Sequence, residues 1–326
     1  MAKARVNLRI GVVQLAPKLG QVQANIAKAR EFCRKISPRS VDLLCFPEMA
    51  FTGYVFENAS AISPHLELPR TGPTSLFCSE WAKKLECYIM AGYPERLESR
   101  ELEEIQRAAK ESRDHPLETP DGKKIEQVGA NSAVIYGPDG SWVGGYRKTN
   151  LFETDLTWAK PGTGFATFVL PSPMQTVSLG ICMDLNPQTE AWTTEKGPYE
   201  LADYAKSKNA NILVLLNAWL DSKKEVEEAS DWQTLNYWAA RTRPLWTDGK
   251  GDKIDDPEQE NPEEHGHEMV VVVCNRSGGE NGKLFAGTSA IFSMTQGSGR
   301  PKLLDMMERQ EEGVRIWNIK IHESSP

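Results

Sequence analysis

Short apolar runs alternate along this chain with longer segments in which apolar residues recur every three or four positions. Runs of the first kind are typical of buried strands, and the second pattern is typical of helices that pack one face on a sheet. The pattern predicts strands at 8–15, 41–46, 88–92, 131–136, 142–147, 177–181, 212–217, 269–274 and 315–321, and helices at 22–36, 75–85, 199–207 and 231–243. This alternation predicts an α/β fold with a mixed sheet.

Turns and charged segments divide these elements. Gly137-Pro138-Asp139-Gly140 predicts a hairpin turn between two strands. The segments 95–127, with a short helix at 101–112, and 248–267 are charged or rich in Gly and Pro, and both lack core-building residues. We therefore predict one domain over 1–326 with surface inserts near 95–127 and 248–267.

Composition excludes several classes of protein. The chain has 326 residues, of which 40% are hydrophobic, and a net charge of −7, which argues against nucleic acid or an anionic membrane as a partner. No stretch approaches the roughly 20 apolar residues of a membrane span, and the N-terminal residues lack the apolar centre of a secretory signal. The six cysteines are scattered without a CxxC pair, so we predict reduced thiols in a cytoplasmic protein, with the nucleus as a second compartment that fits.

One histidine pair raises the question of a metal site. His265 and His267 would share a face if they lay on a strand. No cluster of Cys or His accompanies them, and they follow an acidic loop. We therefore predict no metal and no other cofactor.

Three reactive side chains stand at predicted strand ends. Cys182 follows an apolar strand, Glu48 follows another after Phe46-Pro47, and Lys148 follows a third after Tyr146-Arg147. A thiol held at a strand end suits a nucleophile, and backbone N–H groups after it can face a substrate oxygen. Taken singly, each has a simpler interpretation: a buried core thiol, a solvent-facing carboxylate and a solvated lysine.

In combination, these segments resemble a known family. Phe46-Pro47-Glu48, Tyr146-Arg147-Lys148 and Gly180-Ile181-Cys182-Met183-Asp184 are similar to motifs of the nitrilase superfamily of carbon–nitrogen hydrolases, in the same order. The likeness runs from the first strand to Gly287-Thr288-Ser289. It implies a four-layer α-β-β-α sandwich.

The resemblance also implies roles for individual residues. Glu48 would take the thiol proton and pass it to the leaving nitrogen, Cys182 would form a thioester, and Lys148 would stabilise the thiolate and the oxyanion. The backbone N–H of Met183 would be a second oxyanion donor. Relatives carry a further acid after the lysine, and here both Glu153 and Asp155 are available, of which we favour Asp155.

One branch of the superfamily is most similar. The segments 47–56, 182–187 and 217–220 resemble fungal protein N-terminal asparagine/glutamine amidohydrolases, which prepare proteins for degradation through an N-degron. The resemblance implies peptide or protein N-termini bearing Asn or Gln as the binding partner. The substrate's α-ammonium needs a buried carboxylate, for which Asp184 is the first candidate and Asp155 the second. Tyr54, Phe56 and Trp219 would form an apolar wall around the side chain.

Other interpretations remain open at this level. Asp184 is equally suited to a turn or cap, and the three aromatic residues to core packing. Within the same fold, a small-molecule aliphatic amidase, an ω-amidase or a carbamoylase is the alternative function. A non-enzymatic scaffold is disfavoured by the three intact residues. The family commonly dimerises, so a homodimer through helices near Tyr199 and Trp232 is one available assembly.

Overall fold

Two six-stranded sheets with helices on their outer faces build the protein. The computed structural model describes residues 5–111, 118–119, 121–189, 191–248 and 266–322. The strands are β1 Arg5–Gln14, β2 Leu43–Cys45, β3 Tyr88–Arg96, β4 Gly129–Tyr136, β5 Trp142–Arg147, β6 Ala166–Val169, β7 Thr176–Ile181, β8 Ile212–Asn217, β9 Glu268–Asn275, β10 Gly279–Glu280, β11 Lys283–Leu284, β12 Ala290–Thr295, β13 Lys302–Met306 and β14 Gly313–His322. The helices are α1 Val22–Cys33, α2 Ala59–Ile62, α3 Pro73–Leu85, α4 Ser99–Glu111, α5 Glu153–Leu156, α6 Glu200–Ser207 and α7 Trp232–Arg241.

Each sheet has parallel strands at its centre. The first sheet has the order β14-β1-β2-β3-β4-β5 and the second β13-β12-β9-β8-β7-β6. β2 pairs in parallel with β1 and β3, while β8 pairs in parallel with β7 and β9. Parallel neighbours place their carboxyl ends at the same edge of a sheet. Glu48 follows β2, and Cys182 follows β7, so both leave such an edge.

The core consists of three apolar layers. Alternate residues of the central strands, such as Ile212, Val214 and Leu216 of β8, face the other sheet, and the intervening Leu213 and Leu215 face helices α6 and α7. Helices α1 and α3 cover the first sheet in the same way. This is the predicted α-β-β-α sandwich, and it follows from strands that are apolar on both faces.

Most predicted elements are present with small changes at their ends. The helix predicted at 231–243 is present as α7, and Asp231 immediately before it accepts the N–H of Thr234 through its side chain. The sequence pattern did not predict β6, β12 or β13. Ser293 interrupts the apolar run of β12, and β13 is largely exposed, so their strand state depends on pairing with distant residues such as Ala290 with Val273.

The first insert begins later than predicted. Residue 95 lies inside β3, and the Glu95 side chain is buried, where it accepts hydrogen bonds from Ser132 and Arg147. The predicted short helix is present as α4. Glu101 of α4 forms ion pairs with Arg147 and Lys160, so this part of the insert packs on the sheet beside β5. The insert predicted near 95–127 therefore overlaps the last two residues of β3, because an apolar pattern cannot show that a charged residue is buried by an ion pair.

Two further expectations concern metals and membranes. His267 makes a 2.6 Å hydrogen bond to the Ala210 carbonyl, whereas His265 and most of the second insert lie outside the described residues. In the described ranges, no group of three or more His, Cys, Asp or Glu side chains is arranged to hold a metal ion. None of the helices in those ranges has the length and apolarity needed to cross a bilayer.

Candidate active site

Glu48 is delivered by a close contact between two strand ends. The chain continues from β2 through Phe46, whose N–H donates to the Met90 carbonyl of β3, and the Gly92 N–H donates to the Pro47 carbonyl. A Cβ atom at Gly92 would lie 2.6 Å from the Glu48 Cα, so only glycine permits this approach. The Glu48 side chain is fully buried and points into the molecule.

Lys148 lies between two carboxylates. Its Nζ is 2.7 Å from Glu48 Oε1 and 2.6 Å from Asp155 Oδ2, and all three side chains are excluded from solvent. Lys148 follows β5, and its backbone N–H donates to the Asn131 carbonyl of β4. The two carboxylates therefore fix the ammonium from both sides.

The structure distinguishes between the two acids after the lysine. Asp155 is fully buried and contacts Lys148, whereas Glu153 is exposed at the start of the short helix α5. Asp155 also accepts hydrogen bonds from the Phe152 N–H at 3.0 Å and the Tyr54 hydroxyl at 3.2 Å. The inward role that we favoured for Asp155 agrees with its position.

Asn131 joins the two carboxylates, and sequence reasoning missed it. Its Nδ2 donates to Glu48 Oε1 at 2.7 Å and to Asp155 Oδ1 at 3.0 Å. The signal in the sequence was a polar residue inside the apolar strand β4. Together, Glu48, Lys148, Asp155 and Asn131 form a closed buried network in which Glu48 Oε2 also accepts the Ala218 N–H.

Cys182 begins a turn at the end of β7. It opens a 3-10 helix, Cys182–Leu185, has a φ of +45° and retains 7% of its surface exposed. The first N–H groups of a helix lack intrahelical acceptors. Met183 follows Cys182 in this first turn, and the role of its N–H as an oxyanion donor stays a prediction.

The electrostatics of the cluster favour a neutral thiol and a basic carboxylate. Burial and the charge of Glu48 raise the pKa of Cys182 well above its usual range, against the lowering effect of Lys148 and the Ala218 N–H. Burial also raises the pKa of Glu48, although Lys148 opposes this. For Lys148, burial lowers the pKa, but Asp155 and Glu48 outweigh it and the net pKa is raised. Lys148 therefore stays an ammonium, and Glu48 is a better proton acceptor than an exposed glutamate.

Asp184, the first candidate for the ammonium receptor, is buried and is engaged by donors of the protein itself. Its Oδ1 accepts the N–H groups of Thr149 and Asn150, and its Oδ2 accepts the Ile181 N–H and the Tyr146 hydroxyl. These four bonds occupy the lone pairs of the carboxylate. Burial raises the pKa of Asp184 to about 6. The alternative interpretation, a turn and cap residue, is the one that its contacts support.

Asp155, the second candidate for the ammonium receptor, is also engaged by donors of the protein itself. Its Oδ2 already receives Lys148, Tyr54 and Phe152, and its Oδ1 receives Asn131. Asp155 therefore already forms an ion pair with Lys148. Both carboxylates near the motifs therefore have partners inside the protein, and the receptor of the ammonium stays a prediction.

The three predicted wall residues occupy different surroundings. Tyr54 lies at the cluster, where Lys148 Nζ is 5.6 Å from its ring centroid. Trp219 is half-buried against Tyr237, and its chain position directly follows Ala218, which contacts Glu48. Phe56 is buried in the same apolar cluster as Tyr54, and its ring lies 5.3 Å from His65, which is a core contact.

A buried ion pair supports the loop that carries Tyr54. Glu280 accepts the backbone N–H groups of Tyr54 and Val55, and it pairs with the buried Arg276 at 2.8 Å. The Arg276 guanidinium lies 3.9 Å from the Phe285 ring centroid. Sequence reasoning missed this support because Glu280 and Tyr54 are separated by more than two hundred residues along the chain.

Comparisons with known proteins identify the family to which the chain is similar. Residues 9–191 match the family model described as carbon-nitrogen hydrolase. The chain is 30% identical to a protein N-terminal amidase of Schizosaccharomyces pombe, over 96% of this chain and all of the relative. It is 26% identical to a protein N-terminal amidase of Saccharomyces cerevisiae, over 72% of this chain and 49% of that protein.

Solved structures have the same fold. An N-terminal amidase crystallised with an Asn-Glu-Ala peptide superposes with a TM-score of 0.76, at 20% identity, over 98% of this chain and 99% of the other. An N-terminal amidase with a Gln-Gly peptide gives a TM-score of 0.75 at the same identity and coverage. These likenesses confirm the sandwich fold.

Proposed function

The chain belongs to the carbon–nitrogen hydrolase family, and from that premise we propose that it deamidates N-terminal Asn or Gln residues of peptides and proteins. The product would carry Asp or Glu at position 1, and ammonia would be released. The observation that carries the substrate class is the 30% identity to a protein N-terminal amidase along nearly the whole of both chains. The buried Glu48–Lys148–Asp155 network beside Cys182 supports the chemistry.

In the first half of the reaction, Cys182 attacks the side-chain amide carbon. Glu48 accepts the thiol proton as the carbon–sulfur bond forms, and its raised pKa suits this step. The Lys148 ammonium and the Met183 N–H stabilise the oxyanion. The carbon–nitrogen bond then breaks, and Glu48 returns the proton to the nitrogen, which leaves as ammonia.

In the second half, water replaces ammonia. Glu48 takes a proton from the water as its oxygen attacks the thioester carbon, and the oxyanion occupies the same site. The carbon–sulfur bond breaks, and Glu48 protonates the departing sulfur. The acid product leaves, and Cys182 is again a thiol. Asp155 and Asn131 keep Lys148 and Glu48 in place through both halves.

Recognition of residue 1 depends on a free α-ammonium. This group separates an N-terminal Asn or Gln from every internal one. Trp219 and Tyr54 flank the reactive group and are the wall residues that we retain for the substrate. Phe56, Asp184 and Asp155 have structural partners instead.

Such a product would present an acidic N-terminus to an N-degron pathway, and the enzyme would act in the cytoplasm.

Ammonia release from three matched peptides tests the function: one with a free N-terminal Asn, one with an acetylated Asn and one with an internal Asn. Release from the first alone is expected. Equal turnover of the acetylated peptide would contradict ammonium recognition, and release from none would move the substrate to small amides.

The matched control is Cys182→Ala, with Glu48→Gln as a second variant. Cys182→Ala should fold, because it removes a single buried sulfur atom. Glu48→Gln takes one counter-charge from the buried Lys148, so its folding is checked by circular dichroism before the assay. Both variants should lose ammonia release. Activity that survives in Cys182→Ala would overturn the assignment of the nucleophile.

A further inference from the structure

Asn217 lies beside the backbone of the candidate nucleophile. β7 and β8 are parallel and pair Ile181 with Leu216, so the next position along each strand brings Cys182 next to Asn217. The buried Asn217 Oδ1 accepts the Cys182 N–H at 3.1 Å. A side-chain oxygen therefore receives this N–H at the point where β7 leaves the sheet.

This contact acts on a residue in an unusual conformation. Cys182 has a φ of +45°, in the left-handed region that residues other than glycine rarely adopt. Such a conformation persists only where the surroundings hold it. The Ile181 N–H is accepted by Asp184 and the Cys182 N–H by Asn217, so side chains fix two consecutive peptide groups at the turn.

The next residue along β8 contacts the same site. The Ala218 N–H donates to Glu48 Oε2 at 2.7 Å. It also opposes the effect of burial on the thiol, because it lowers the pKa of Cys182. Since Asn217 and Ala218 are consecutive, one short segment contacts the backbone of the nucleophile, its sulfur and the base.

The other end of the Asn217 amide is unsatisfied. Its Nδ2 is buried and has no hydrogen-bond partner within the ranges that the structure describes. Reversal of the amide would turn the NH2 group towards the Cys182 N–H, placing two donors face to face. A buried donor without an acceptor disfavours folding, so stability alone does not explain an asparagine here.

We propose that Asn217 is a positioning residue for the reaction, which holds Cys182 in its left-handed conformation and aligns the Ala218 N–H with both the sulfur and Glu48. It acts through the nucleophile and does not touch the substrate. The proposal rests on the proposed function only in taking Cys182 as the nucleophile.

Asn217→Ala tests the proposal by kinetics and by thiol reactivity. We expect kcat to fall about 100-fold with little change in KM, since misplacement of a reacting group by about 1 Å has an effect of this size. The rate of Cys182 alkylation by iodoacetamide is followed at that residue by mass spectrometry across pH. Its pH profile should move upward by about one pH unit, so that alkylation at pH 7 slows about tenfold. The melting temperature should stay close to that of the wild type, because the unsatisfied donor is removed together with the lost bond.

Asn211 offers a matched control on the same two strands. Its buried Oδ1 accepts the Thr176 N–H at 3.1 Å, the same kind of bond at the opposite end of β7 and β8. Asn211→Ala should lower the melting temperature and leave kcat and the alkylation profile unchanged. Asn217→Ser, whose side chain is too short to reach Cys182, should repeat the kinetic loss and serves if the alanine variant does not fold.

Two results would overturn the positioning role. One is an unchanged alkylation profile in both Asn217 variants, and the other is a loss of activity that matches the loss of folded protein in Asn217 and Asn211 variants alike. Alkylation needs no amide substrate, so it reports on Asn217 independently of the proposed function. Activity that survives in Cys182→Ala would instead refute the nucleophile while leaving the Asn217 measurement interpretable.

Discussion

At the scale of single residues, two carboxylates hold the buried Lys148 ammonium in place and take the role that solvent has for an exposed lysine. Its ammonium contacts Glu48 and Asp155 at 2.7 and 2.6 Å inside the protein. A buried charge that loses one partner is strongly destabilised, and here the same loss would also move a group needed for the reaction. Substitution of Asp155, which contacts Lys148, is therefore expected to have a much larger effect than substitution of the exposed Glu153.

Asp155→Asn should lower kcat/KM at least about 100-fold, because Lys148 loses one of its two counter-charges and its fixed position. Glu153→Gln, two residues earlier and exposed, is the matched control and should remain near the wild type. Kinetics on an Asn-initiated peptide with both variants check this. Equal losses in the two variants would contradict the assignment of Asp155 as the inward acid.

The Asp184→Asn variant distinguishes between a capping role of Asp184 and a role in binding the substrate ammonium. An asparagine offers an NH2 group where the Ile181 N–H and the Tyr146 hydroxyl now donate, so the free energy of unfolding should fall by about 1–3 kcal/mol. Chemical denaturation measures this. The preference for a free over an acetylated N-terminus should persist in the active fraction, and its disappearance would restore the ammonium role.

The pH profile of kcat/KM tests the charges of the site and of the substrate together. Glu48 must be ionised to accept a proton, and burial raises its pKa above 4.5, so the rate should fall on the acid side at a higher pH than for an exposed glutamate. If the α-ammonium is recognised, the rate should also fall above the substrate amine pKa of about 7.7–8.0. With a peptide whose N-terminus is a permanently charged trimethylammonium group, the rate should no longer fall at alkaline pH. If the rate still falls, the responsible pKa belongs to a group of the enzyme.

At the scale of elements, the start of α3 depends on a buried acid. Glu67 is 4% exposed, and it accepts the N–H and the hydroxyl of Thr74 in the first turn of the helix. Burial raises its pKa from 4.5 to about 7, against the effect of these bonds. The folded protein therefore binds a proton in a pH range where the unfolded chain releases it.

Glu67→Gln should flatten the pH dependence of stability. In the wild type, the contribution of this group is fully present below pH 4.5 and is lost as pH rises through about 7, a change of up to about 3 kcal/mol. Urea denaturation between pH 5 and 8 measures the slope, with the exposed Glu103→Gln on α4 as control. A slope unchanged by Glu67→Gln would contradict the raised pKa.

At the scale of the whole molecule, the last strand is paired with the first. β14 lies antiparallel to β1 from Arg5–His322 to Gln14–Gly313, and residues of both strands enter the core between the sheets. The proposal of a single domain follows from this closure. The homodimer suggested for the surfaces near Tyr199 and Trp232 stays a prediction.

Unfolding should accordingly be one cooperative transition. Each sheet buries its inner face only against the other, so separation of the two halves would expose the whole central layer of the core. Calorimetry should give equal calorimetric and van't Hoff enthalpies for the monomer, and removal of residues 313–326 should prevent folding. Two separate transitions in the intact chain would argue for two domains.

The sequence by itself determined most of the strands and helices and the strand ends at which the reactive residues lie, and the family resemblance implied the four layers. Apolar runs such as 212–217 predict strands locally, because a strand buried on both faces is apolar at every position. Glu48, Lys148 and Cys182 were found because each stands at or just beyond the end of a predicted strand. The family resemblance then implied their roles, and those roles remain the proposal that the kinetics above test.

Only the tertiary structure decided which polar groups meet. The choice of Asp155 over Glu153, the capping role of Asp184 and the bridging position of Asn131 depend on side-chain direction and on partners from other strands. The same is true of Asn217, whose contact with Cys182 comes from the register of β7 with β8. Local periodicity shows which face of an element is apolar, whereas the partner of a buried polar group is set by long-range pairing, which no short pattern contains.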